Sequence, residues 1–184
     1  DCPEAIRNAG RLLKEGGVQS VKLEGGRHIA ETVCLMVQSG IPVMGHLGLT
    51  PQSIHQIGGF RPQAQTAAEG ERLIEDAIAL ESAGAFAIVL ESIPTEIAER
   101  VTASVAIPTI GIGAGPECDG QVLVSYDMLG LFDQFVPSFV RQYAKVGEIV
   151  KEAAGTYADD VRSGRFPEPR IRKTQVERLG ERKR

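Results

Sequence analysis

The sequence predicts an α/β protein built on a parallel sheet, of the (β/α)8 barrel type. Three observations carry that reading. Short runs such as AFAIVL at 85–90 are apolar throughout, as strands covered on both faces must be. They alternate with segments whose apolar residues recur at helical spacing, which is the order of βα units. A glycine closes three of the helices that precede a strand and polar groups follow the strands, and the carboxyl ends of strands are where barrels place their chemistry. A doubly wound sheet is the structural alternative.

Residues 1–15 read as a helix, with Asp1 or Cys2 at its cap, Pro3 in the first turn and one stripe of Ala5, Ile6, Ala9, Leu12 and Leu13. Gly16 and Gly17 end it. Residues 18–23 read as a strand in which Lys22 stands where a core residue is expected, and Glu24, Gly25 and Gly26 follow. Residues 28–38 are helical through Ile29, Val33, Leu35, Met36 and Val37, and Gly40 closes them. Residues 41–44 form the next strand, with Gly45-His46-Leu47-Gly48 expected just past its end. Residues 48–65 read as a loop, long enough to suggest function.

Residues 69–83 form a strong helix on Leu73, Ile74, Ala77, Ile78 and Leu80, ended by Gly84. The strand at 85–90 runs into Glu91. Thr95 is expected to cap a helix reaching about residue 104. Residues 107–112 give a further strand that flows into Gly113-Ala114-Gly115, and residues 122–126 the last one. Two apolar stripes, Phe135 to Tyr143 and Ile149 to Val161, predict helices over the rest. The expected organisation is one domain over 1–167, a partial barrel, and a basic, disordered tail over 168–184. Five strands fall short of a barrel's eight, and a complete barrel runs to about 250 residues, so the first three strands are expected to be missing from the front.

Composition narrows the class. A hydrophobic content of 42% suits a globular body, and a net charge of −4 argues against nucleic acid as its main partner. The charge is uneven: residues 168–184 carry +4 and the remainder −8. Cys2, Cys34 and Cys118 are odd in number and lack metal-ligand spacing, which fits a reducing cytoplasm and argues against a zinc site. No apolar run is long enough to cross a membrane, and no signal peptide is read at the start.

Four strand ends collect polar groups. Lys22 and Glu24 are two apart and so face one side of a strand. They read either as a local ion pair or as a desolvated pair held by a metal or substrate. His46 reads as a structural histidine or a site residue. Glu91, emerging from five apolar residues, suits a general acid or base, with a helix-capping or solvated carboxylate as the alternative. Gly113-Ala114-Gly115 is a tight turn or an amide nest for an anion.

Four stretches then carry a resemblance: VKLEGG at 21–26, GIPVMGHLGLTPQS at 40–53, GAFAIVLESIP at 84–94 and IPTIGIGAGPECDGQVLV at 107–124. Together they resemble the ketopantoate hydroxymethyltransferase family from Pro3 to Pro167. The resemblance implies a phosphoenolpyruvate/pyruvate-type barrel that moves a hydroxymethyl group from 5,10-methylenetetrahydrofolate to 3-methyl-2-oxobutanoate, giving 2-dehydropantoate for pantothenate synthesis. It implies Mg²⁺ held in part by Glu24, keto acid bound by Lys22, a site-lining and substrate-binding His46, and Glu91 as proton acceptor. It also implies a homo-oligomer, often a decamer. The family's two metal-binding aspartates lie in motifs that this sequence does not contain, so a separate N-terminal fragment is an expected partner. Two other readings stand beside it: another Mg²⁺-dependent keto-acid lyase of the same superfamily, and a non-catalytic partial barrel that associates with a complementary chain.

Overall fold

The structure is a computed structural model that describes residues 1–132 and 134–168; most of the expected tail over 168–184 lies outside them. The elements run α1 (Cys2–Lys14), β1 (Val21–Glu24), α2 (Ala30–Gln38), β2 (Val43–Gly48), α3 (Ile54–Ile57), α4 (Ala67–Ser82), β3 (Ala87–Glu91), α5 (Thr95–Ser104), β4 (Thr109–Ile112), β5 (Gly120–Gln121), α6 (Ser125–Met128) and α7 (Val146–Arg162). The five strands form one sheet in the order β1-β2-β3-β4-β5, every neighbouring pair parallel. A doubly wound sheet reverses its strand order at a switch point. This sheet never does, and its sequential order is that of an arc of a (β/α)8 barrel.

The helices begin where local chemistry dictates. Asp1 caps α1 through its side chain, which accepts from the Glu4 N–H at 2.8 Å. Thr66 and Glu69 form a reciprocal capping box at the start of α4. Thr95 is the first residue of α5 rather than its cap. Pro94 holds the cap position in an extended conformation.

Strand alternation sorts the sheet into two faces. Val43 and Leu47 of β2 and Ile88 and Leu90 of β3 are buried in the same core as Met36 of α2, Leu73, Ala77 and Leu80 of α4, and Val101 of α5. Lys22, Glu24, His46 and Glu91 occupy the alternate positions, on the face turned away from those helices.

Three expectations are corrected. The second strand does not stop at residue 44: β2 continues to Gly48, so His46 lies inside it. Gly45 looks like a chain break in the sequence, but it makes room for α4, since a Cβ there would lie 2.9 Å from Leu80 Cδ1. The last strand is Gly120–Gln121 rather than 122–126, and Ser125 already starts α6. The stripe over 135–143 is not helical: its described residues run as turns and irregular chain, and Pro137 cannot donate a hydrogen bond within a helix spanning it.

The DGQ turn has a structural role. Asp119 accepts from the Thr109 backbone N–H at 2.8 Å and its hydroxyl at 3.1 Å, and Thr102 and Thr109 share a hydroxyl contact at 2.9 Å. These bonds tie the start of β4 to the start of β5, at the rim opposite the strands' carboxyl ends. The Thr109 backbone and hydroxyl bonds hold the Asp119 carboxyl below its ordinary value of 3.8. A carboxyl whose folded value is lowered stabilises fully above its unfolded value and loses that contribution as pH falls through the folded one. Urea denaturation should therefore find Asp119→Asn less stable than wild type at neutral pH, with the gap closing below about pH 4. A gap unchanged down to the lowest pH would contradict the assignment.

The chain divides into two compact units, residues 1–124 with 137–140 and residues 125–136 with 141 onward. In the second, the Tyr143 N–H bonds Met128 O at 2.8 Å and the Val146 N–H bonds Leu129 O at 3.0 Å, which sets the start of α7. No described residue of this unit is buried, and Ile149, Val150, Tyr157 and Val161 along α7 are exposed. No described helix is long and apolar enough to cross a membrane.

Candidate active site

Three adjacent strands bring the expected residues together. Glu24 ends β1, Glu91 ends β3, and His46 stands between them on β2, registered beside Glu24 and Val89. Lys22 is two residues before Glu24 and reaches the same ring. Its Nζ lies 2.9 Å from His46 Nδ1. Glu24 Oε1 stands 3.6 Å from that nitrogen, and Glu91 Oε2 stands 3.0 Å from His46 Nε2.

His46 is 1% exposed, the most deeply buried polar residue of the group. Its Nε2 is sealed from solvent and has no aligned acceptor: the 3.0 Å separation from Glu91 is short enough, but the carboxylate lies off the N–H direction. Such a group is costly unless a ligand or a small movement completes it. The Glu24 side chain is 8% exposed and that of Glu91 19%, so both carboxylates sit at a half-closed mouth.

The long loop after β2 is stitched across this mouth by backbone donors. The Leu49 N–H bonds the Glu91 carbonyl at 2.8 Å, the Gln63 N–H bonds the Ser92 carbonyl at 2.9 Å, and the Gln52 N–H bonds Glu24 Oε2 at 2.9 Å. Ser92 and Ala64, at the return of that loop, both hold left-handed backbone, with φ of 52° and 54°. Non-glycine residues in that region carry strain that gathers at functional sites. The Gln52 contact has no side-chain signature in the sequence. Loop length was the only cue to it.

Gly113 and Gly115 have positive φ and are closely packed where a Cβ would stand. A Cβ on Gly113 would lie 2.6 Å from the Phe139 ring, and one on Gly115 would collide with Thr95.

The donor set bears on a metal. Two carboxylates outnumber one ammonium, which favours a cation at this mouth. Mg²⁺ needs several oxygen ligands, and among the described residues no group of three His, Cys, Asp or Glu could hold a metal ion. Glu24 alone does not build that site. Gln52 takes one acceptor site on Oε2, and the carboxylate keeps further lone pairs to offer.

A family model described as ketopantoate hydroxymethyltransferase matches residues 1–169. Proteins named 3-methyl-2-oxobutanoate hydroxymethyltransferase are similar along most of the chain. The Moorella thermoacetica protein is 59% identical over 90% of this chain and 62% of its own length. That of Heliobacterium modesticaldum is 57% identical over 90% of this chain and 60% of its own. That of Clostridioides difficile is 53% identical over 96% and 66%. The chain therefore spans a little under two thirds of these relatives.

Proposed function

Because the chain belongs to the ketopantoate hydroxymethyltransferase family, we propose that it carries the keto-acid-activating part of hydroxymethyl transfer from 5,10-methylenetetrahydrofolate to 3-methyl-2-oxobutanoate, giving 2-dehydropantoate. The observation that carries this is the convergence of Lys22, Glu24, His46 and Glu91 on one face of three neighbouring strands. In this reading the Lys22 ammonium pairs with the substrate carboxylate, and Glu91 accepts the proton from C3. The electron pair left on C3 forms the bond to the one-carbon unit. Both folate C–N bonds break, the two nitrogens taking the hydrogens released from C3 and from water, and the water oxygen becomes the new hydroxyl. Closure of the mouth by the loop would keep the enolate from premature reprotonation by water.

Mg²⁺ would supply Lewis-acid stabilisation of the enolate oxygen. Glu24 contributes one ligand to it, and the others would come from carboxylates outside these residues. A separate or upstream N-terminal segment is the partner this reading requires. The same shortfall of ligands favours a second reading, in which these residues are inert until that segment is present.

The test is proton exchange at C3 of 3-methyl-2-oxobutanoate in D₂O with Mg²⁺, followed by proton NMR. It is run on the chain alone and on the chain completed by the upstream portion of the Moorella thermoacetica relative, with assembly verified by native mass spectrometry. Exchange by the completed protein is expected. Its absence from a verified assembly would sink the proposal, whereas equal exchange by the chain alone would remove the need for the partner.

A further inference from the structure

The family resemblance implies a substrate-binding His46, yet its surroundings leave it no free edge. It is 1% exposed, with Lys22 and Glu24 against one ring nitrogen and Glu91 against the other. A lysine ammonium only donates, so Nδ1 must be the acceptor of the 2.9 Å contact. The ring hydrogen then belongs on Nε2, facing Glu91 Oε2. The 3.6 Å gap between Nδ1 and Glu24 Oε1 agrees, since two acceptors have no hydrogen to share.

We propose that His46 is a positioning residue, a ring that accepts from Lys22 on Nδ1 and turns its Nε2–H toward Glu91. This deepens the functional reading above and rests on it. The strand supplies the reason. His46 lies within β2 rather than on a loop, and that strand stands between the one bearing Lys22 and the one bearing Glu91. The ring therefore fixes the span between the group that binds the substrate carboxylate and the group that takes its C3 proton. Glu91 Oε2 lies 3.0 Å from Nε2 without an aligned hydrogen bond, so the ring sets where the carboxylate stands and leaves it able to take the reacting proton.

Two substitutions separate the two halves of the bridge. Asparagine places its oxygen near the position of Nδ1 and keeps the Lys22 contact, whereas glutamine places its amide NH₂ near Nε2 and keeps the Glu91 contact. In the completed protein, His46→Asn should slow C3 exchange about tenfold or more, and His46→Gln should restore most of that loss. The keto-acid Kd should stay within about threefold of wild type in both. A large rise in Kd with an unchanged rate would mean substrate contact instead, and equal rates for the two variants would also overturn the proposal. Independently of activity, long-range ¹⁵N–¹H correlation on the 184-residue chain reads the tautomer directly. Hydrogen on Nε2 alone is expected, and any hydrogen on Nδ1 overturns the proposal. If wild type shows no exchange at all, the functional reading falls, while the tautomer still decides how His46 is held.

Discussion

Replacing Glu91 with Gln in the completed protein should slow C3 exchange of 3-methyl-2-oxobutanoate by about 10²–10⁴-fold, with keto-acid Kd changed by less than about threefold. Glutamine keeps the shape and can still meet His46 Nε2–H through its amide oxygen. It cannot accept a proton from carbon. The strand end is already fixed through the main chain, since the Glu91 carbonyl takes the Leu49 N–H at 2.8 Å. The substitution should thus remove the base and little else. If Glu91→Gln exchanges at the wild-type rate, the base is another group and the proposed division of roles fails. If affinity collapses together with rate, Glu91 is a binding residue.

Gly48→Ala should be the most damaging single-methyl change near the site, at about 3 kcal/mol of stability. About 1–2 kcal/mol of that is the left-handed backbone, because Gly48 has φ of 89°. The rest comes from collision, since a Cβ here would run into the Glu91 carbonyl and lie 2.8 Å from Ile93 Cγ2, and overpacking costs about 1–3 kcal/mol. Gly40→Ala is the matched control. It also has positive φ, 79°, with open space around the missing Cβ. Urea denaturation should show Gly40→Ala losing only the backbone part. Equal losses for the two would mean that the approach of β2 to the Glu91 carbonyl is not what fixes residue 48.

How much of this could be read from the sequence depends on where the information sits. Fully apolar strands and glycine-closed helices are side-chain signals, and the parallel sheet and the helices α1, α2, α4, α5 and α7 follow from them. The gathering of Lys22, Glu24, His46 and Glu91 was also legible, because parallel strands bring their carboxyl ends to one rim, although His46 lies inside β2 rather than past its end. The failures are of another kind. Gly45 and Gly48 look alike on paper, yet one makes room for Leu80 within a continuing strand and the other ends it with a left-handed turn. The stripe from Phe135 to Tyr143 has helical spacing, but Pro137 lies within it, and spacing cannot show what, if anything, it packs against. The Gln52 and Leu49 contacts use backbone amides, which every residue but proline possesses and which therefore leave no trace in a pattern of side chains.

That anonymity has an evolutionary consequence. The loop over 49–65 is attached to Glu24, Glu91 and Ser92 through the main chain at Leu49, Gln52 and Gln63. Exchanging those side chains leaves the three donors in place, and only proline would delete one. Drift along the loop can thus alter what it presents to an incoming molecule while its moorings persist. The strand ends at Glu24 and Glu91 stay put as their surroundings diversify, so a change in what the loop presents need not begin with damage to the strands beneath it.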